Sequence, residues 1–423
     1  MKPIADLPAR PIRQAVANGS VKIPAPGKSN ANLKTRYLAM ASAVTERTNY
    51  MINAVIRSSG LWTPTDSVSN DELVACYNAW VEKWNGENAD AIASGAVEPK
   101  APSSSGFIEK ASGIKSRYSI DKAGVLDINR MRPKVRRRDD NEMSIMAEAG
   151  FAAARQALER AGREAKDVDG VICSATTMQR TYPCIAIEIQ HALGIDGFGY
   201  DMSVACSSGT FGLINAINAV RIGQANSILL VMPEITTPQL NFRDRDSHFI
   251  FGDVAVALLI ERDDMSQDGW TVLDTRMKTV YSNNIRSNFG FLNACESSEP
   301  AFEDRYFTQE GRRVYKEVCP MVAELILNQL AANNLSAADM KRLWLHQANI
   351  NMNLMIARKV FDREFTVEEA PVILDEFANT AGAGSLVAFH RHANGFAAGE
   401  KGLLCSFGAG YSIGSVIVEK RAA

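Results

Sequence analysis

The chain is poor in the residues that build metal sites and disulfide frameworks. Its 423 positions hold only 7 cysteines and 5 histidines. The cysteines are odd in number and scattered, and no CxxC pair occurs, which argues against a zinc site and against a disulfide scaffold. His390 and His392 stand too close together, with no thiol partners, to make a metal-binding pair. Free thiols of this kind belong in a reducing compartment, so the expected location is the cytoplasm. An excess of either charge is missing too. Lys and Arg number 46 against 48 Asp and Glu, a formal net charge of -2. The whole protein therefore has no attraction for nucleic acid or for an anionic membrane, and any charge-driven docking must come from a local patch. No run of eighteen apolar residues exists, so no membrane-spanning helix is expected. What remains is an ordinary globular composition, 46% hydrophobic and 22% charged.

Residues 1–50 are rich in Pro, Ala, Asn and basic residues and show no apolar periodicity. They also lack the apolar core of a secretory signal. Two readings stand: a loosely ordered leader, or an upstream start with Met51 as the functional beginning. From Met51 strands and helices alternate, the pattern of an α/β fold with largely parallel sheets. MINAVIRSSGLWTP reads as a strand, EMSIMAEAGFAAARQALERAG as an amphipathic helix ending at Gly162, and DGVICSA as a buried strand. A helix at IAIEIQHALG, a strand at GYDMSVA, a helix from Ser207 to Ile222 and the strands SILLVMPE and AVALLIER follow. The second half repeats the order, with a helix (VYKEVCPMVAELILNQLAANN), a strand (RLWLHQA), helices at MNLMIARKVF and after Asn379, and the strands GLLCSFGAG and SIGSVIVEK.

The two halves also align residue by residue. Asp339 lies 172 positions after Asp167, and Asn379 lies 173 after Cys206. This self-similarity predicts two related α/β halves, 51–265 and 266–423. It places three reactive residues in matching positions: Cys206 after a strand and before a helix of small residues, His346 after the matching strand, and Asn379 opposite Cys206. Ligands of open α/β sheets sit at such strand ends. A cysteine at a helix N-terminus is also expected to have a lowered thiol pKa, because the dipole and free N–H groups favour thiolate. Cys173 and Cys405 on apolar strands and Cys319 on a helix read as core thiols, His248 as structural, and His191 as a surface or packing residue.

The segments VACSSGTFGL, HQAN at His346–Asn349, NT at Asn379–Thr380, FGD at Phe251–Asp253 and FGAGYSIGS resemble the β-ketoacyl-acyl carrier protein synthase III family of the thiolase superfamily. The resemblance runs from Met51 to Lys420. It implies a thiolase-like α/β fold, two duplicated halves packed as a five-layered αβαβα core, and a homodimer. It implies Cys206, His346 and Asn379 as the catalytic set, with Cys206 taking an acyl group from a thioester. Malonyl-acyl carrier protein then loses carbon dioxide, and His346 and the Asn379 amide donate to the thioester oxygen that becomes negative. A second oxyanion site would use the backbone N–H groups of Cys206 and Ala409, between Gly408 and Gly410. No metal or redox cofactor is implied; the substrates are acyl-coenzyme A and acyl carrier protein.

The same resemblance assigns Tyr182 either to closing the partner subunit's acyl tunnel or to interface packing, and sets Phe107 against the adenine of coenzyme A. Where the family carries a substrate-binding arginine this chain has Asn351, and Arg358 and Lys359 on the same helix are the expected replacements. Ala378 stands where a glycine usually precedes the asparagine. Insertions fall near 83–106 and 121–140. The second holds RMRPKVRRR, read as a solvated loop or as a docking patch for an acidic carrier protein or for coenzyme A phosphates. The insertions resemble a subgroup primed by medium-chain acyl-coenzyme A. The expected activity is decarboxylative condensation of such a primer with malonyl-acyl carrier protein. The competing readings are head-to-head condensation, acyl transfer to oxygen or nitrogen, a cysteine hydrolase, and a non-catalytic partner subunit.

Overall fold

A computed structural model describes residues 52–295 and 305–422; the leader or upstream start read in residues 1–50 lies outside them. β1 (Ala54–Trp62) is followed by α1 (Asn70–Glu87) and α2 (Ser105–Ser112). Next come α3 (Ile145–Ala161), β2 (Gly170–Ser174), α4 (Ile185–Leu193) and β3 (Phe198–Met202). α5 (Ser208–Arg221), β4 (Ser227–Glu234) and β5 (Val254–Arg262) complete the first series. The second comprises β6 (Trp270–Ser282), α6 (Gly311–Ala332), β7 (Met340–Leu345) and α7 (Ile350–Phe361). It ends with α8 (Gly384–His392), β8 (Lys401–Gly408) and β9 (Gly410–Lys420).

These strands form one nine-stranded hydrogen-bonded set in the order β7-β8-β9-β6-β1-β5-β4-β2-β3. Five layers result. α3 and α4 cover the outer face of the β1-to-β3 part, and α6 and α7 pack outside the other part. α5 and α8 lie between the two parts and touch each other. The central layer is apolar on all sides: Leu213, Ile217 and Val220 of α5 share a cluster with Leu386, Val387 and Phe389 of α8. Each side chain so buried contributes about 1.5–3 kcal/mol.

Local chemistry explains the boundaries. α3 starts at Ser144, whose side chain accepts from Ala147 N–H, and stops at Gly162, which takes φ 64°. Its small residues let it lie directly on β1, where a Cβ on Gly60 would sit 2.1 Å from the Ala153 carbonyl oxygen. β2 and β7 are each preceded by a short 3-10 turn closed by a reciprocal cap, Glu164 with Asp167 and Ser336 with Asp339. The expected correspondence of Asp167 and Asp339 thus has a local structural basis.

β7 stops at Leu345, so His346 follows the strand as expected, although the strand is shorter than RLWLHQA. β6 was not read from the sequence at all. One expectation changes, the partner position of Cys206. Ala205 (φ 44°) and Ala381 (φ 46°) both open 3-10 turns that run into α5 and α8. By that register Cys206 matches Gly382, and Asn379 lies three residues earlier.

The insertions are built structures. Residues 83–106 begin as the end of α1 and return along it, with Asn85 and Lys100 exchanging hydrogen bonds (Lys100 N to Asn85 Oδ1, 2.9 Å) and Asn78 doing the same with Ser103. In the second insertion Arg136 pairs with Glu142, and Arg138 pairs with Glu148 and donates to the Met143 carbonyl. Two of the three consecutive arginines are therefore already engaged.

Candidate active site

Cys206 occupies the turn Ala205–Ser207, directly ahead of α5, and is buried. The backbone of β8 lies against it: a Cβ on Gly408 would stand 2.4 Å from Cys206 Cβ and 3.0 Å from its sulfur. The Ala409 N–H next along this turn favours the thiolate form of Cys206. Gly410 takes φ 130°, a conformation suited to glycine. Ser207 Oγ donates to the Ser412 carbonyl at 2.9 Å, and Ser412 Oγ lies 2.8 Å from the Ala409 carbonyl. The nucleophile turn and the β8–β9 turn are thereby held together.

Burial pushes the Cys206 thiol up to about 11; the N–H groups of Ala409 and Cys206 pull the other way, while the Glu234 carboxyl adds to the rise. The lowered thiol pKa expected from the helix terminus is overturned, because desolvation of the thiolate outweighs the dipole.

His346 N–H donates to the Cys405 carbonyl at 2.8 Å, and its ring meets Phe407 edge-on. Burial depresses its imidazole to about 3, so the ring is neutral at physiological pH. Asn379 sits in an extended bridge beside Phe251; its N–H donates to the Ile250 carbonyl at 3.0 Å and its carbonyl accepts from Gly252. The Asn379 Oδ1 accepts from Ala381 N–H at 2.9 Å, which turns the amide nitrogen the other way, as a donor. Ala378 holds φ 56°, ψ -156° where the family has glycine, a conformation that costs a non-glycine residue of order 1–3 kcal/mol.

The loop after Asn379 runs past both the Cys206 turn and His346. A Cβ on Gly382 would lie 3.0 Å from Ser208 Cβ and 3.1 Å from the Ala205 carbonyl oxygen, while one on Gly384 would lie 3.3 Å from His346 Nδ1. The absence of side chains there lets the loop touch both the Cys206 turn and the histidine.

Asn379 also lines a cleft of about 640 Å³, with Phe107, Phe249, Arg312, Ala348 and Asn351 among its walls. Phe107 on α2 carries the Arg245 guanidinium over its face at 4.2 Å. Fully buried Arg117 backs this wall, donating to the Phe249 carbonyl, the Val68 carbonyl and Asn70 Oδ1. Arg358 and Lys359 do not line the cleft. They fall in the last turn of α7, roughly 10 Å along the helix from Asn351 at 1.5 Å per residue, whereas the cleft meets only the first turn. Arg312 lines the cleft together with Asp246, and Arg245 reaches it only through its stacking on Phe107; the sequence reading missed both arginines, which no motif marks. Tyr182 stands 82% exposed in the isolated chain, just ahead of α4.

Two family models match this chain: 3-oxoacyl-[acyl-carrier-protein (ACP)] synthase III over residues 200–280, and 3-oxoacyl-[acyl-carrier-protein (ACP)] synthase III C terminal over residues 330–420. The chain is 56% identical over 346 residues to the β-ketodecanoyl-[acyl-carrier-protein] synthase of Pseudomonas aeruginosa, covering 81% of this chain and 99% of that one. A β-ketoacyl-[acyl-carrier-protein] synthase III of Pseudoalteromonas atlantica is 26% identical over 334 residues, 78% and 99% of the two chains. The solved 3-oxoacyl-(acyl carrier protein) synthase III of Pseudomonas aeruginosa superposes with a TM-score of 0.68 at 22% identity, covering 88% of this chain and 99% of that one, a likeness of fold. The architecture is that of a thiolase-fold condensing acyltransferase. Within that class the chain belongs to the β-ketoacyl-acyl carrier protein synthase III family, whose activity is the ketoacyl-forming condensation of fatty acid synthesis.

Proposed function

We propose that Cys206 carries the acyl group, that the primer is a medium-chain acyl-coenzyme A, and that malonyl-acyl carrier protein is the extender. The observation that supports the assignment is the closeness of the β8–β9 turn to Cys206: a Cβ on Gly408 would stand 3.0 Å from the sulfur, and the next backbone donor is the Ala409 N–H. A donor in that position meets the oxyanion of the tetrahedral intermediate formed there, and losing one such donor typically slows a reaction about a hundredfold or more. In the first half-reaction the Cys206 sulfur displaces coenzyme A from the acyl carbon. The thiol's proton departs with the coenzyme A sulfur. In the second, malonyl thioester loses carbon dioxide, and the neutral His346 and the Asn379 amide donate to the developing enolate oxygen. The carbanion attacks the acyl carbon, the ketoacyl thioester leaves, and the Cys206 thiolate takes a proton from solvent. The equation needs only the two thioesters and that proton.

The medium-chain primer draws on the relative named for a β-ketodecanoyl product. A ten-carbon ketoacyl chain arises when two carbons are added to an eight-carbon primer. The acting unit is a homodimer, with Tyr182 of one protomer set toward its partner, and the compartment is the cytoplasm. Among the described residues no helix is long and apolar enough to cross a membrane.

The test is intact-protein mass spectrometry after mixing with acyl-coenzyme A thioesters from two to sixteen carbons. The expected result is a single acyl adduct, fastest with octanoyl-coenzyme A and absent in Cys206→Ala. An adduct that persists in the variant removes Cys206 from its role, and loading fastest with acetyl-coenzyme A removes the medium-chain primer.

A further inference from the structure

A carboxyl group lies beside the catalytic turn and has no part in the steps above. Glu234 ends β4 and is 1% exposed. Its Oε1 accepts from Thr176 N–H at 2.9 Å, from Thr176 Oγ1 at 2.9 Å and from Gly382 N–H at 3.1 Å. Thr176 Oγ1 is itself 3.3 Å from the Ala205 carbonyl oxygen and 3.3 Å from Gly382 N. One carboxyl oxygen and one hydroxyl therefore join three segments: the chain leaving β2, the turn that carries Cys206, and the loop that carries Asn379. The fit leaves no slack, since a Cβ on Gly382 would approach Glu234 Oε1 to 2.7 Å.

Both joined turns need holding. Ala205 and Ala381 sit at φ 44° and 46°, where a residue with a Cβ remains only if its surroundings over-determine it. An apolar side chain at 234 would leave the Thr176 N–H without its acceptor and reduce the Thr176 hydroxyl and the Gly382 N–H to their longer 3.3 Å contacts. A glutamine would not, because it presents the same acceptor oxygen at the same reach.

We propose that Glu234 is a positioning residue for the condensation: with Thr176 it fixes the separation between the Cys206 turn and the Asn379 loop, so that the acyl carbon and the decarboxylating thioester meet. The inference rests on Cys206 as acyl carrier and Asn379 as oxyanion donor. It separates the two half-reactions. Acyl loading uses the Cys206 turn and the β8–β9 turn, whereas condensation also needs the Asn379 loop in register. Displacing catalytic groups by about 1 Å costs on the order of a hundredfold.

The experiment compares wild type, Glu234→Ala, Glu234→Gln and Thr176→Val in two assays, acyl loading by mass spectrometry and steady-state condensation. Glu234→Ala is expected to lose at least about tenfold in condensation kcat with KM for both thioesters little changed, and to lose less in loading. Glu234→Gln is expected to restore most of the lost kcat. A Glu234→Ala enzyme that condenses at the wild-type kcat overturns the proposal, as does a folded Glu234→Gln enzyme no faster than the alanine variant. If Glu234→Ala does not fold, Thr176→Val decides: a severalfold fall in kcat supports the hub, and an unchanged kcat refutes it. Failure of the underlying assignment looks different, since wild type itself would then show no adduct on Cys206.

Discussion

At the scale of single residues, the buried thiol decides how this enzyme rests. A sulfur pushed up to about 11 is protonated at neutral pH, and each unit of pH below that value changes the thiolate fraction tenfold. Alkylation of Cys206 by iodoacetamide is therefore expected to rise with a log–log slope near one from about pH 7 to 10. Glu234→Gln should move the part of the curve above about pH 8 to lower pH, because there the ionised Glu234 adds to the rise. Site-resolved mass spectrometry, which separates Cys206 from the other thiols, provides the measurement; a plateau below pH 8 would show a resting thiolate instead. Cys206, His346 and Asn379 stand out in the sequence as the candidate set because their neighbours are distinctive: serines and glycines after the cysteine, HQAN, and the glycine-rich stretch after Asn379. The sign of the thiol shift was not legible, since it depends on how tightly the Gly408 backbone closes over the sulfur. Glu234 reads as the end of an apolar strand, and only the fold brings Thr176 and Gly382 to it. Arg312 and Arg245 were hidden for the same reason.

At the scale of elements, β3 is the open edge of the nine-stranded set and pairs only with β2. Tyr200 on that strand is 38% exposed, and Ile187 on the adjoining α4 is 45% exposed. An open edge flanked by exposed apolar groups invites another strand, and a two-fold pairing presents each residue twice. Sedimentation of the wild type is expected to give a dimer, and Ile187→Asp with Tyr200→Asp a monomer. A double variant that remains dimeric would place the interface on another surface. Most elements were legible because their ends carry recognisable chemistry, Gly162 and Gly194 in left-handed caps being the plainest. β6 was not. Only its first residues are buried, and from Arg276 to Tyr281 it is exposed and mixed in character, so no apolar run or clean alternation marks it. The 83–106 insertion carries no element reading in the sequence; side-chain amides from α1 hold it in place just ahead of Phe107.

At the scale of the whole molecule, burial of neutral histidines links stability to pH. His346 is depressed to about 3, His248 and His390 to about 4, and His392 is lowered as well, in each case chiefly by burial. The unfolded chain binds protons at these groups near pH 6.5, and the folded chain does not until the pH is far lower. Acidification through 6.5 therefore favours unfolding. Glu234 acts in the opposite sense. Burial lifts its carboxyl to about 8, so the folded state gains a proton between about pH 8 and 4.5 that the unfolded state lacks, and that contribution is lost as pH rises through 8. One proton gained opposes several forgone, and the histidines win below 6.5. The paired carboxylates, Glu72 and Glu142 lowered to about 2 among them, enter only below about 4.5 and leave the interval from 5 to 7 to the histidines and Glu234. The thermal midpoint is expected to fall by several degrees from pH 7 to 5, and His248→Gln, whose replacement cannot titrate, should flatten part of that fall. A midpoint that is level or rising over this interval would mean that the histidines take up protons in the folded state. The interior around His346 would then be open to solvent, and the neutral imidazole used in the proposed condensation would be lost with it.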